Sequence, residues 1–242
     1  VYTYLPTSAD KTYFLPPTLT NGNVHGIIVL NVYNERLLRL LAETQIPKVF
    51  LDTSSLVAPD ELNGDLLLME SRTSVRRITS HLLEQGRTLP GFIGDIGYAQ
   101  SNRERYEGFC QALTDAGKKV DSSLCLTTPL GIDTYREEID TFLSSLSRMP
   151  DAFVCASDYV ACILMQLLEK RGLRVPEDVA VSGFDNNTED LLAEHLTTVQ
   201  VFNEELGARL ALQILYRIKY PNTPHEVTYL GTNVLYRDST GD

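Results

Sequence analysis

Short β-rich apolar runs alternate with longer stretches of helical periodicity through most of this chain, and few architectures accommodate that order. GIIVLN (26–31) is followed by ERLLRLLAET (35–44), in which Leu37, Leu40 and Leu41 keep the i, i+3, i+4 spacing of a buried helix face. IPKVFLD (46–52) and LLLM (66–69) read as strands. SVRRITSHLLEQG then places Val75, Ile78, Leu82 and Leu83 on one helical face, with Gly86 as its stop. The alternation continues with a strand at 91–95, a helix from about Asn102 to Gly117, a strand at 123–128 and a helix across 134–148. A strand at 152–157, a helix at 159–171 ending at Gly172, and the strand DVAVSGFD (178–185) complete it. Strands separated by helices of ten or more residues form βαβ units with right-handed crossovers, so the expected fold class is α/β with doubly wound parallel sheets.

In such sheets ligands bind outside the carboxyl ends of the strands, where the loops converge. Asp52, Asp95, Asp158 and Asp185 all fall at or just after strand ends. Taken singly, each reads as a helix cap or an Asx turn. Four on one edge point to a polar cleft whose ligand they do not name.

Composition narrows the function. The 242 residues allow one large domain or two of roughly 100 to 150 residues. A formal charge of −11 argues against this segment gripping a phosphate backbone by itself, because that binding is driven by Lys and Arg displacing counterions. Cys110, Cys125, Cys155 and Cys162 lack CxxC spacing and neighbouring histidine ligands, and read as reduced thiols of a cytoplasmic protein. His25, His81, His195 and His225 show neither triad nor metal spacing. No apolar segment approaches membrane-spanning length. There is no GxSxG elbow, P-loop or GxGxxG after a first strand, so no enzyme, cofactor or metal is expected.

Several fragments, in order, resemble one family. PKVFLD is similar to a strand ending in Asp; ITSHLLEQGRTLPGFIGD to a helix, turn and strand; NRERYEGFCQALTDAG to an Arg-x-x-Gly-aromatic helix. PDAFVCASDYVACILMQLLEKRGLRVPEDVAVSGFDN, LTTVQ and NVLYRDST complete the series. Together they resemble the effector-binding core of LacI/GalR-type bacterial transcription regulators, which shares its type I fold with periplasmic sugar-binding proteins. The resemblance implies two α/β subdomains joined by three crossing strands and closing over a small molecule. They would comprise residues 1–70 with 202–232, and 71–201 with 233–242. The chain would cross near Met69 to Ser71, Val201 to Phe202 and Thr232 to Val234, with a helix beginning around Asn203 returned to the first subdomain.

The resemblance also implies the site. Arg105, at the first turn of its helix, would donate to effector hydroxyls or an acid, and Asp185 would accept opposite it. Ser157 would bond the ligand, with Asp158 either binding or capping the next helix. Ser101 lies one turn before Arg105, and Asp52 would close the site from the other subdomain. Asn186 reads equally as cap or ligand, while Tyr98, Tyr159 and Phe184 lie near the same edge. The implied function is sensing of a carbohydrate or related metabolite by a dimeric cytoplasmic regulator that touches operator DNA through a segment absent from this chain. The alternative is a solute receptor of a sugar transport system. Two features depart from the family. VYTYLPT resembles the second strand of the first lobe, with no strand–helix pair or helix-turn-helix before it, and Glu70, Ser71 and Ser74 stand where relatives show Asp-Asn and Gly at the first crossing.

Overall fold

Runs of four or five residues dominated by Val, Ile, Leu and Phe become buried parallel strands in a computed structural model. It describes residues 14–131, 133–187 and 194–241, so the VYTYLPT strand lies outside the described residues. In chain order the elements are α1 (Pro17–Thr20), β1 (Ile27–Leu30), α2 (Glu35–Ala42), β2 (Lys48–Leu51), β3 (Asp65–Met69), α3 (Arg72–Glu84) and β4 (Pro90–Ile93). There follow α4 (Gln100–Asp115), β5 (Cys125–Leu126), α5 (Tyr135–Ser145), β6 (Ala152–Cys155), α6 (Asp158–Lys170), β7 (Ala180–Ser182) and β8 (Thr198–Gln200). The last are α7 (Asn203–Lys219), β9 (Val227–Leu230) and β10 (Asn233–Leu235).

The chain divides into two compact units. One holds the described residues up to Met69 together with Phe202–Leu230; the other holds Glu70–Val201 and Gly231–Asp242. The chain therefore passes between units three times, after Met69, Val201 and Leu230.

The first unit is built on a four-stranded sheet in the order β1-β2-β3-β9, with every neighbouring pair parallel. Asn34 starts α2 by accepting a hydrogen bond from the Leu37 amide at 3.1 Å, and Leu37, Leu38 and Leu41 bury one face against Phe50, Leu62, Leu66 and Leu68. Two buried cations, Lys48 and Arg217, complete this unit. Lys48 donates to the carbonyls of Thr44 (2.9 Å) and Asn63 (3.0 Å), and burial lowers its pKa to about 8. Arg217 of α7 forms a two-pronged pair with Asp65 through Nη2 to Oδ1 (2.6 Å) and Nε to Oδ2 (3.0 Å), and Gln213 and the Glu226 amide fill the remaining acceptor positions.

The second unit carries a four-stranded parallel sheet ordered β5-β4-β6-β7. β8 and β10 pair antiparallel, and β8 follows the β7 segment through isolated bridges at Ser182–Thr197 and Asp185–Gln200. The α6 helix, apolar on most sides, buries Val160, Ala161, Leu164, Leu167 and Leu168 in the core of this unit. Helices α3 and α4 pack closely enough that a Cβ on Gly108 would run into the Arg72 carbonyl. Among the described residues no helix is long and apolar enough to cross a membrane.

Candidate functional site

Phe184 and Asp185 follow β7, where the chain leaves the sheet beside the carboxyl ends of β4 and β6. The Asp185 amide donates to Val199 O at 3.1 Å, which turns the backbone to φ 109°, a region that side chains other than glycine avoid. Asp185 is 44% exposed at its side chain, whereas Phe184 beside it is fully buried.

The Arg105 guanidinium lies over the Phe184 ring, its central carbon 3.6 Å from the ring centroid. It donates through Nη1 to the Ala156 carbonyl at the end of β6 and to Asn102 Oδ1 at 3.5 Å. Its Nη2 stands 3.6 Å from Asp185 Oδ1. Charge-assisted hydrogen bonds close to about 2.7–2.9 Å, so this pair is electrostatically linked while retaining hydrogen-bonding capacity on both sides. Arg105 Nε is buried with no hydrogen-bond partner among the described residues, and the Asp185 carboxylate faces Arg105 as an ion pair and not through a hydrogen bond. Surrounding protein raises the Asp185 pKa and the Arg105 charge pulls it back. The result is a planar donor and a two-oxygen acceptor side by side, the pairing that vicinal hydroxyls or an amide would satisfy.

The neighbouring residues divide into those facing this pair and those holding it. Ser157, expected as a ligand, is the N-cap of α6 and accepts from the Val160 amide at 3.3 Å. The capping role considered for Asp158 therefore belongs to Ser157, because the chain enters the helix one residue earlier. Asp158 is buried and accepts from Thr198 Oγ1 at 2.6 Å and from the Asn187 amide at 2.7 Å, so it fastens the loop that carries Asp185 to β8. Burial pushes its pKa up to about 6; the Thr198 and Asn187 hydrogen bonds work against that, and the Asp185 charge adds to it. Gly183 is required here, since a Cβ would strike the Asp158 carboxylate.

Asn186, at φ 52°, donates through Nδ2 to Gln200 Oε1 at 2.6 Å and accepts at Oδ1 from Arg237 Nη2 at 2.8 Å. Ser101 is buried at the start of α4, which begins at Gln100 rather than Asn102. Arg105 thus sits in the second turn of α4, not the first, and reaches back over the sheet edge. Asp52 belongs to the first unit; it is buried at φ 59° after β2, with Oδ1 accepting from the Thr53 amide at 2.8 Å. The role of Phe184 as the platform beneath Arg105 was missed in the sequence, where an aromatic beside an acid reads as a stacking surface. The signal available was its place inside an apolar strand run.

The described residues include no group of three His, Cys, Asp or Glu arranged to hold a metal ion.

Comparison with known proteins supplies the context. A family model for the periplasmic binding protein-like domain matches residues 79–240, more than half of the chain. The HTH-type transcriptional repressor PurR of Glaesserella parasuis serovar 5 (strain SH0165) is 27% identical over 216 residues, covering 88% of this chain and 62% of that protein. The HTH-type transcriptional regulator DegA of Bacillus subtilis (strain 168) is 31% identical over 170 residues, 69% of this chain and 48% of that one. This chain thus spans about three fifths or less of the length of these regulators. Among solved structures, a complex of the transcriptional regulator CelR with cellobiose superposes with a TM-score of 0.81 at 27% identity, over 92% of this chain and 68% of that one. With its two parallel-sheet units joined by three chain crossings, the chain belongs to the periplasmic binding protein-like domain family and corresponds to the effector-binding core of LacI-type regulators.

Proposed function

We propose that this chain senses a small polyhydroxylated effector, a carbohydrate or a related metabolite, for a transcriptional regulator. The observation that carries this reading is the Arg105–Asp185 pair: a buried guanidinium with an unsatisfied Nε beside a carboxylate with open acceptor capacity, on the binding edge of a parallel sheet. The saccharide bound by the CelR relative and the repressor and regulator names of PurR and DegA support the same reading. Operator DNA is contacted by a segment outside this chain, consistent with the −11 charge, and the regulator acts as a cytoplasmic homodimer. Sensing requires only that the effector bind one state of the regulator more tightly than the other, so the chain acts as a binding protein and not as an enzyme.

Isothermal titration calorimetry of a sugar panel tests the reading. Arg105→Ala and Asp185→Asn each lower affinity for the bound sugar by on the order of 10- to 150-fold, the equivalent of a lost charged hydrogen bond. Unchanged affinity in both variants, with circular dichroism showing them folded, sinks the assignment. The same titration on Asp52→Asn and Ser101→Ala reads the contribution of those two residues.

A further inference from the structure

Asp185 and Asn186 are consecutive residues with left-handed backbones, at φ 109° and 52°. Asparagine tolerates that region better than most side chains, so the turn alone accounts for its presence at 186. It does not account for the use of the whole side-chain amide. Asn186 receives a hydrogen bond from Arg237 Nη2 at 2.8 Å and gives one to Gln200 at 2.6 Å, and Gln200 gives one to the Val201 carbonyl at 2.8 Å.

The direction of this series is fixed by its two ends. A guanidinium only donates, so the Asn186 atom facing Arg237 is Oδ1, and Nδ2 is left for Gln200. A backbone carbonyl only accepts, so Gln200 turns Nε2 to Val201 and leaves Oε1 for Asn186. Neither amide can flip without setting two donors or two acceptors against each other, and bonds in such a head-to-tail series strengthen one another.

The members come from three separate stretches of the second unit. Gln200 ends β8, one residue before the chain leaves this unit after Val201. Arg237 follows β10 and is itself anchored, by Nη1 to the Leu196 carbonyl at 3.1 Å and by its backbone amide to Thr197 Oγ1 at 2.8 Å. The backbone of the same turn is tied to β8 as well: the Asp185 amide donates to Val199 O, and the Asn186 amide donates to Thr198 Oγ1 at 3.2 Å. The Asp185 carboxylate, in contrast, stands 3.6 Å from Arg105 with no hydrogen bond between them to hold it there. Its place is set by the backbone that carries it.

We infer that Asn186, clamped between Arg237 and Gln200, is the positioning residue of the effector seat: it holds the Asp185 carboxylate beside the Arg105 guanidinium in the arrangement that binds. This rests on the function proposed above and adds the residues that set affinity from behind the seat.

Two measurements test it, and the first needs no effector. Asp185 is titrated by carbon-13 NMR of aspartate-labelled protein. The Arg105 charge holds its carboxyl down against the rise that burial causes, so a carboxylate that drifts from Arg105 titrates higher. Gln200→Ala and Asn186→Gly, the latter chosen because glycine accepts the left-handed backbone, are each expected to raise its midpoint by about one unit. Gln200→Ala adds no rise in an Arg105→Gln background, where no charge is left to drift from; a variant that merely loosens the fold raises it there as well. The second measurement is calorimetry with D-glucose, D-galactose, D-xylose, D-ribose, cellobiose and maltose. Asn186→Asp and Gln200→Lys each lower the affinity for the sugar that binds about tenfold, since each sets like groups against each other. The two together restore it, because the new ammonium donates both to the new carboxylate and to the Val201 carbonyl. Circular dichroism and thermal melts verify that every variant is folded. An Asp185 midpoint unmoved in Gln200→Ala and Asn186→Gly, or a rise that persists in Arg105→Gln, overturns the inference, as does a double variant no better than its singles. In those cases loss of sugar binding in Arg105→Ala still upholds the function proposed above. If none of the six sugars binds the wild-type chain, that function falls, and the titration alone decides whether Asn186 positions Asp185.

Discussion

Asp158 shows how a buried residue can set the position of an exposed neighbour, Asp185. It is a buried carboxyl whose two hydrogen bonds, from the Asn187 amide and the Thr198 hydroxyl, tie the chain after Asp185 to β8. Its pKa is raised from 3.8 to about 6, so the folded protein holds its proton more tightly than the unfolded chain does. Its stabilising contribution is therefore complete below the unfolded value and is lost as pH rises through the folded one. The change amounts to on the order of 3 kcal/mol between about pH 4 and pH 6.5. Urea unfolding of wild type and Asp158→Ala at the two ends of that window measures it: the stability advantage of the wild type is larger at pH 4 than at pH 7. A constant difference removes Asp158 as the titrating group. At this scale the sequence singled out Arg105 and Asp185, through the Arg-x-x-Gly-Phe spacing and the acid ending an apolar strand, and the fold sets the two side chains 3.6 Å apart. It did not disclose that Ser157 caps and Asp158 braces, because either residue type performs either task and only the helix entry point decides.

The pairing of α3 with α4 sets the position of Arg105. Gly108 lies one turn beyond Arg105 on α4, against the Arg72 carbonyl at the start of α3. Gly108→Ala forces backbone apart from backbone, with a cost of about 1–3 kcal/mol. The urea midpoint reads that loss, and a parallel fall in sugar affinity reports the displaced guanidinium; a variant as stable as wild type contradicts the close approach. Elements with strong periodicity, such as α2, α3 and α6, were legible to within a residue or two. The start of α4 falls two residues before the expected Asn102, since Ala99 precedes it with no capping side chain and nothing in the sequence announces a beginning there. The entry to α3 is similarly disguised: Glu70, one residue before the formal cap at Ser71, accepts from the Thr73 amide at 2.6 Å and the Ser74 amide at 3.2 Å. β9 escaped notice as well, because an edge strand with alternating half-exposed residues in VTYL lacks the continuous apolar run that marks its neighbours.

Across the molecule the two units carry opposite electrostatic liabilities. In the first, burial would raise the Asp65 pKa, but its bonds to Arg217, Gln213 and the Glu226 amide together outweigh that and lower it. The stability it confers is therefore present above the unfolded value and disappears as pH falls through the folded one. Asp158 works in the other direction in the second unit. Its lowered surface acids, such as Asp115 and Asp121, count for little in comparison because solvent screens them. Hydrogen exchange, corrected for intrinsic pH dependence, is expected to show protection falling in the first unit on acidification below about pH 4, before the second. At neutral pH, Asp65→Ala strands the Arg217 charge and costs about 3–5 kcal/mol, confined to exchange in the first unit. Uniform loss across both units contradicts their energetic independence. The sequence revealed the two-unit plan only through family resemblance: Asp65, Gln213 and Arg217 are brought together from distant parts of the chain, and no local pattern predicts such a meeting.

The three passages of the chain between units also bear on synthesis. β9 joins its sheet only once residue 230 has been made, and Ser239, which donates to Val181 O at 2.6 Å and accepts from the Thr197 amide at 2.8 Å, arrives later still. Neither unit can close while the ribosome is translating the stretch between them, so the order of birth does not become an order of folding. Both must wait, partly assembled and with sheet edges open, for their final strands, and the interval between the first sheet's appearance and its completion is set by translation speed rather than by the chain.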